Sequence, residues 1–77
     1  MRLNIITPEG TLVDQEVDRV EFPGAKGRFV VLKDHAPIVS SLVKGVVEYD
    51  GKQLPITGGF VAVQKNEVSV CVEVQAP

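Results

Sequence analysis

Proline or glycine interrupts this chain at Pro8, Gly10, Pro23, Gly24, Gly27, Pro37, Gly45, Gly51, Pro55, Gly58 and Gly59, so most uninterrupted segments are too short for a stable helix. The longest free run, Phe60–Ala76, repeats every two residues and not every 3.6. Within it Val68, Val70, Val72 and Val74 alternate with Glu67, Ser69, Cys71 and Glu73, which is the signature of a half-buried strand. Fifteen valines in 77 residues reinforce the point, because a β-branched side chain packs well on a pleated surface and loses freedom in a helix. The chain therefore reads as all-β: a small antiparallel β-sandwich of about ten short strands, with no helix.

Local signals refine that reading. Arg2–Thr7 is the first strand, closed by Pro8-Glu9-Gly10, and Thr11–Val17 follows. The step from Val17 to Val20 breaks the two-residue period and predicts a bulge or tight corner near Asp18. Arg28–Leu32 is an apolar strand expected to be covered on both faces. Gly45, between Ser40–Val43 and Val46–Tyr49, predicts a kinked or divided strand. Asp50-Gly51 suits a type I′ hairpin, and Lys65-Asn66 a second tight turn. Pro55 lacks a donor, which assigns Lys52–Thr57 to a sheet edge.

The length allows one domain, residues 1–77. A domain this short buries only about 60% of the surface of its unfolded chain. One cysteine, Cys71, provides no internal disulfide and fits a reducing compartment. A partner that binds only the folded form would add stability by mass action. A net charge of −2 and 5% aromatic residues argue against nucleic acid, which calls for a basic stripe or a stacking platform. There is no signal-peptide pattern after Met1, and no run approaches the roughly 18 apolar residues of a membrane span. Direct membrane insertion is not expected.

Chemistry is sparse. A single histidine, His35, cannot build a multi-histidine metal cage, and Cys71 lies far along the chain in a regular strand. Asp34, His35, Ser40 and Ser41 name the parts of a hydrolytic triad, but neighbours in extended chain point apart and no nucleophile elbow surrounds the serines. Gly24-Ala25-Lys26-Gly27 lacks the Lys-Ser/Thr and the helix of a phosphate loop. Glu9, Asp14, Glu16, Asp18 and Glu21 read as a solvated face. No catalytic, cofactor-binding or metal-ligating residue is expected. The surface remains: with 44% hydrophobic residues, Phe29–Leu32 and Phe60–Val63 offer apolar side chains to both faces, so some must lie outside as a protein-binding patch.

The stretch Gly27-Arg28-Phe29-Val30-Val31-Leu32-Lys33-Asp34-His35-Ala36-Pro37-Ile38-Val39 resembles the signature of the epsilon subunit of F-type ATP synthases, which reads Gly-Glu-x-Gly, two apolar residues, then Pro-Gly-His-Ala-Pro. Leu3–Gly10 and Ile56–Val63 resemble the same family in the same order, so the likeness extends to Val74. It implies the family's flattened N-terminal β-sandwich. It also implies a non-catalytic central-stalk role, coupling ion translocation to ATP synthesis by gripping the gamma subunit and resting on the membrane ring of c subunits. The location would be peripheral, on the cytoplasmic face of a bacterial plasma membrane. By this resemblance Thr7, His35 and Ser40 are gamma-interface candidates, and Gly24, Lys26, Gly27 and Arg28 are ring-contact candidates.

Two departures stand out. Arg28 occupies the family's acidic position, which predicts a compensating acid on the ring loop, and Lys33-Asp34 replaces Pro-Gly. The family usually continues into a C-terminal helical pair that binds ATP and brakes hydrolysis. The sequence runs only to Pro77, so that region is expected to be absent. An alternative reading is a biotinyl or lipoyl carrier domain presenting Lys26 on a hairpin, although Lys26 lacks the acidic or methionine neighbours typical of such lysines.

Overall fold

Alternation becomes burial most clearly at the end of the chain, where Val68, Val70 and Val72 point inward while Glu67, Ser69 and Glu73 face solvent. The structure, a computed structural model, describes residues 1–75; Ala76 and Pro77, which the single-domain reading included, lie outside the described residues. Nine strands follow in order: β1 (Arg2–Thr7), β2 (Gly10–Glu16), β3 (Arg19–Gly24), β4 (Gly27–Leu32), β5 (Ile38–Leu42), β6 (Gly45–Tyr49), β7 (Lys52–Ile56), β8 (Gly58–Gln64) and β9 (Glu67–Glu73). No helix of the described residues is long and apolar enough to cross a membrane.

The strands form two layers. β2-β1-β9-β8-β5 make the first, and β4-β3-β6-β7 the second, with a junction where Gly24 of β3 pairs with Leu42 of β5. Gly45 marks the corner. Six residues separate Leu42 from Glu48, while three separate their β3 partners Gly24 and Glu21, so Val43-Lys44-Gly45 are extra. One extended stretch thus serves the first layer as β5 and the second as β6, as strands at sandwich corners do. The Val43 N–H donates to the Pro23 carbonyl (2.9 Å) and the Ala25 N–H to the Ser41 carbonyl (2.9 Å), sealing the junction.

Inward side chains of both layers share one core. Leu3, Ile5, Val61 and Val70 meet Val20, Phe22, Val31 and Val47, all essentially inaccessible to solvent. Each such side chain contributes roughly 1.5–3 kcal/mol when fully buried. Phe22 and Phe29 stack in a tilted pair with ring centroids 5.6 Å apart. No buried side-chain nitrogen or oxygen among the described residues lacks a hydrogen-bond partner. The two tight turns behave as their sequences require: Asp50 and Gly51 take φ of 46° and 80°, Lys65 and Asn66 of 49° and 61°. The corner near Asp18 is present, and its N–H donates to the Asp50 carboxylate across the β6–β7 turn (3.3 Å).

Three features differ from the sequence reading. β4 is not covered on both faces: it pairs only with β3, and of its apolar residues only Val31 is buried while Leu32 is 53% exposed. Val31 faces the shared core, whereas Arg28, Val30 and Leu32 lie on the opposite face, where a third stacked layer would have been needed to cover them. The sheet is also not wholly antiparallel, because β1 and β9 run parallel, Leu3 beside Val68 and Ile5 beside Val70. A bulge in β2 leaves Leu12 without a partner between Thr11 and Val13, so it points into solvent.

Candidate functional site

Register decides which apolar side chains meet on the outside. Ile6 pairs with Cys71, Cys71 with Phe60 and Phe60 with Ser41, which forms one outward row across four strands of the first layer. The next row runs Asn4, Ser69, Ala62, Val39. Val39 is 79% exposed and Phe60 54%. Between the rows lies a shallow groove of about 310 Å³, lined by Asn4, Ile6, Phe60, Ala62, Ser69 and Cys71. Apolar Ile6, Phe60 and Ala62 share the groove with the neutral polar side chains of Asn4 and Ser69. Such a surface has the chemistry of a protein contact. The sequence marked Phe60–Val63 as apolar on both faces without saying which side chains lie outside, and Ile6 and Val39 are brought beside Phe60 only by strand order.

The Gly24–Arg28 segment is a two-residue hairpin whose tip is Ala25-Lys26. Gly24 is buried, since a Cβ there would lie 2.7 Å from the Gly27 carbonyl oxygen and 2.8 Å from the Phe29 ring. Lys26 and Gly27 are exposed. A groove of about 500 Å³ separates this hairpin from β5 and is lined by Lys26, Gly27, Arg28 and Phe29 on one side and Val39 and Ser40 on the other. The structure thus brings the ring-contact candidates beside Ser40.

Arg28 does not wait for a partner's acid. Its Nε donates to Glu21 Oε2 across the β3–β4 pair, and its Nη2 donates to the Val46 carbonyl on β6 at 2.9 Å. Arg19 adds a second guanidinium 3.2 Å from the same carboxylate. Glu21 is therefore not part of a free solvated face. The hydrogen bond from Arg28 is the largest influence on its carboxyl and, with the charges of both arginines, holds it below the ordinary value of 4.5 despite opposition from partial burial. A carboxyl lowered in the folded state stabilises the fold fully above 4.5, and that contribution disappears as pH falls through the lower folded value. Urea unfolding midpoints below pH 4.5 are accordingly expected to fall more steeply for the wild type than for Arg28→Gln, and superimposable profiles would refute the clamp.

Of the gamma-interface candidates, Thr7 is buried, with 8% exposure. Its hydroxyl donates to the Gly10 carbonyl (3.3 Å) and accepts from the Glu9 N–H (3.1 Å), so it organises the β1–β2 turn. His35 is half-buried in the β4–β5 loop, its N–H donating to the Leu32 carbonyl (3.1 Å) and its Nδ1 lying 2.7 Å from the Ala36 carbonyl. Ser40 is half-buried on β5, its hydroxyl donating to the Ser41 carbonyl at 3.1 Å. Thr7 and the hairpin tip share one end of the first layer, while His35 occupies the other, so these residues form no single site. Among the described residues, no three or more His, Cys, Asp or Glu side chains gather as a metal site would require.

A family profile described as the ATP synthase delta/epsilon chain β-sandwich domain matches residues 1–76. The chain belongs to this family. It is 35% identical to the ATP synthase epsilon chain of Desulfitobacterium hafniense over 97% of its own length and 60% of that protein. Identity to the Symbiobacterium thermophilum epsilon chain is 44%, over 95% of this chain and 56% of the relative. The chain thus spans about 60% of the length of the curated relatives it matches. In a cryo-EM structure of the Euglena gracilis mitochondrial ATP synthase, OSCP/F1/c-ring in rotational state 1, one chain superposes with a TM-score of 0.84 at 27% identity, over 91% of this chain and 48% of that one. A chain of the Tetrahymena thermophila mitochondrial ATP synthase central stalk and c-ring shares the fold, with a TM-score of 0.82 at 17% identity over 94% of this chain and 62% of that one. Lys26 does stand at a hairpin tip, as a carrier domain would need, but the delta/epsilon match takes in the whole sandwich and assigns it elsewhere.

Proposed function

We propose that this domain is the non-catalytic epsilon element of a rotary ATP synthase central stalk, gripping gamma and resting on the c-ring so that ion translocation is coupled to ATP synthesis. The apolar outer face of the first layer carries the reading. Ile6, Phe60 and Val39 are exposed at a loss to a lone domain and suit a buried protein contact. Family membership supports a partner within the ATP synthase, since the relatives are ATP synthase epsilon chains. On this reading the outer face meets gamma, with Ser40 and His35 near its borders, and Thr7 contributes by holding the β1–β2 turn in shape. The Gly24–Arg28 hairpin is the proposed ring contact. Because Glu21 already balances Arg28, the cation offered there is Lys26, which makes no ion pair among the described residues. The domain then sits peripherally at the cytoplasmic face of the bacterial plasma membrane, held through the complex.

The test is affinity purification of the tagged chain from detergent-solubilised membranes of its own cells, read by mass spectrometry. Gamma and c subunits are expected to be recovered, and their absence would end the proposal. A Phe60→Glu variant is expected to keep its thermal midpoint yet recover at least about tenfold less gamma, as loss of a central apolar anchor should.

A further inference from the structure

The β4–β5 loop carrying His35 is tied to the β8–β9 turn by two reciprocal hydrogen bonds. The Asp34 N–H donates to Asn66 Oδ1 (2.7 Å), and Asn66 Nδ2 donates to Asp34 Oδ1 (2.9 Å). The Asn66 carbonyl also accepts from the Arg2 N–H at the start of β1 (2.8 Å). Both residues sit in the left-handed region, Asp34 at φ 63° and Asn66 at φ 61°. Glycine adopts that conformation most readily, and aspartate tolerates it at some strain. What aspartate adds is a carboxylate. An aspartate in a turn ordinarily bonds its own backbone a residue or two away. Here the carboxylate and the backbone N–H both reach across 32 residues to another turn.

We propose that Asp34 and Asn66 are positioning residues, a latch that holds the His35 loop in the shape it presents to the stalk. This rests on the central-stalk reading above. Lys33, Ala36 and Pro37 are exposed, and the loop's own backbone bond is the single one from His35 to Leu32. The loop leaves β4 in the second layer and enters β5 in the first. Bonding it to the β8–β9 turn fastens it to the layer that carries Phe60 and Val39. The outer apolar face and the His35 loop then approach a partner as one rigid body, and the ordering cost of the loop is met before docking.

Three variants of the full chain test this. Asn66→Gly keeps the left-handed turn but removes the amide; Asp34→Gly keeps the loop backbone but removes the carboxylate. The exchange of Asp34→Asn with Asn66→Asp retains a donor and an acceptor for both bonds. Asn66→Gly removes both bonds, and the amide hydrogen of Asp34, left without its amide-oxygen acceptor, should exchange about tenfold faster. Recovery of gamma in the membrane purification should fall about tenfold in both glycine variants and return in the exchanged pair, with thermal midpoints close to wild type. Unchanged exchange at Asp34 in Asn66→Gly would overturn the latch. Faster exchange with undiminished recovery would overturn its positioning role and leave the stalk reading intact. Failure of the wild-type chain to recover gamma would overturn both, and that arm alone identifies the stalk reading as the fault.

Discussion

Replacing Phe22 with alanine should remove about 3–5 kcal/mol of stability, the usual cost of deleting a buried aromatic ring. A chain of 77 residues has about 4–12 kcal/mol in total, so this one substitution removes a large share of it. Phe22 is fully inaccessible, lies on β3 where the two layers join, and packs against Phe29. Its loss opens a cavity that β-branched neighbours such as Val20 and Val31 cannot rotate to fill. Urea denaturation followed by far-ultraviolet circular dichroism measures the change. Phe60→Ala is the control: that ring is 54% exposed, and its removal should cost less than about 1 kcal/mol. Equal losses at the two positions would contradict the assignment of core and outer face.

Gly59→Ala should be nearly as damaging through a different cause. Gly59 has φ of +149°, and a Cβ there would lie 2.2 Å from the Cys71 carbonyl oxygen and 2.9 Å from the Val72 Cα. Both obstacles are backbone of the neighbouring strand, so no side-chain rotation relieves them. β8 must separate from β9 near its start, which also tilts Phe60 out of its outward row. A loss of about 3 kcal/mol or more is expected. For a domain of this size that lowers the melting temperature by about 12–24 °C. At the adjacent Gly58 a Cβ meets only the Leu42 carbonyl oxygen at 3.8 Å, so Gly58→Ala should shift the melting temperature by less than about 5 °C. Similar melting temperatures for the two variants would refute the close approach at Gly59.

Much of this architecture was legible because it is local. Strand β9 announced itself by alternation, the Asp50-Gly51 and Lys65-Asn66 turns by residues that accept positive φ, and the corner by Gly45. Pro55 was correctly assigned to an edge, since β7 ends the strand order. What stayed hidden depends on which distant strands become neighbours. An apolar run such as Phe29–Leu32 looks the same whether one face or both are covered, and the number of stacked layers decides it. The pairing of Arg28 with Glu21 needed the β3–β4 register, and that of Asp34 with Asn66 the juxtaposition of two turns. For the same reason, the sequence did not show that this chain already holds an acid, Glu21, against Arg28. Thr7 was an interface candidate by resemblance alone, whereas the two-residue period of β1 already puts it on the inward face with Leu3 and Ile5.

The parallel pairing of β1 with β9 sets the order in which the chain can mature. As the protein is synthesised, Arg2–Thr7 emerges first and can pair with β2 on one side, but its other edge stays bare until residues 67–73 leave the ribosome. Closing that pair brings together segments more than sixty residues apart, a loop entropy that slows folding relative to a chain of hairpins alone. Until then one edge of an apolar strand is open to the wrong neighbours, which is where a slow, non-local pairing exposes a chain to misassociation.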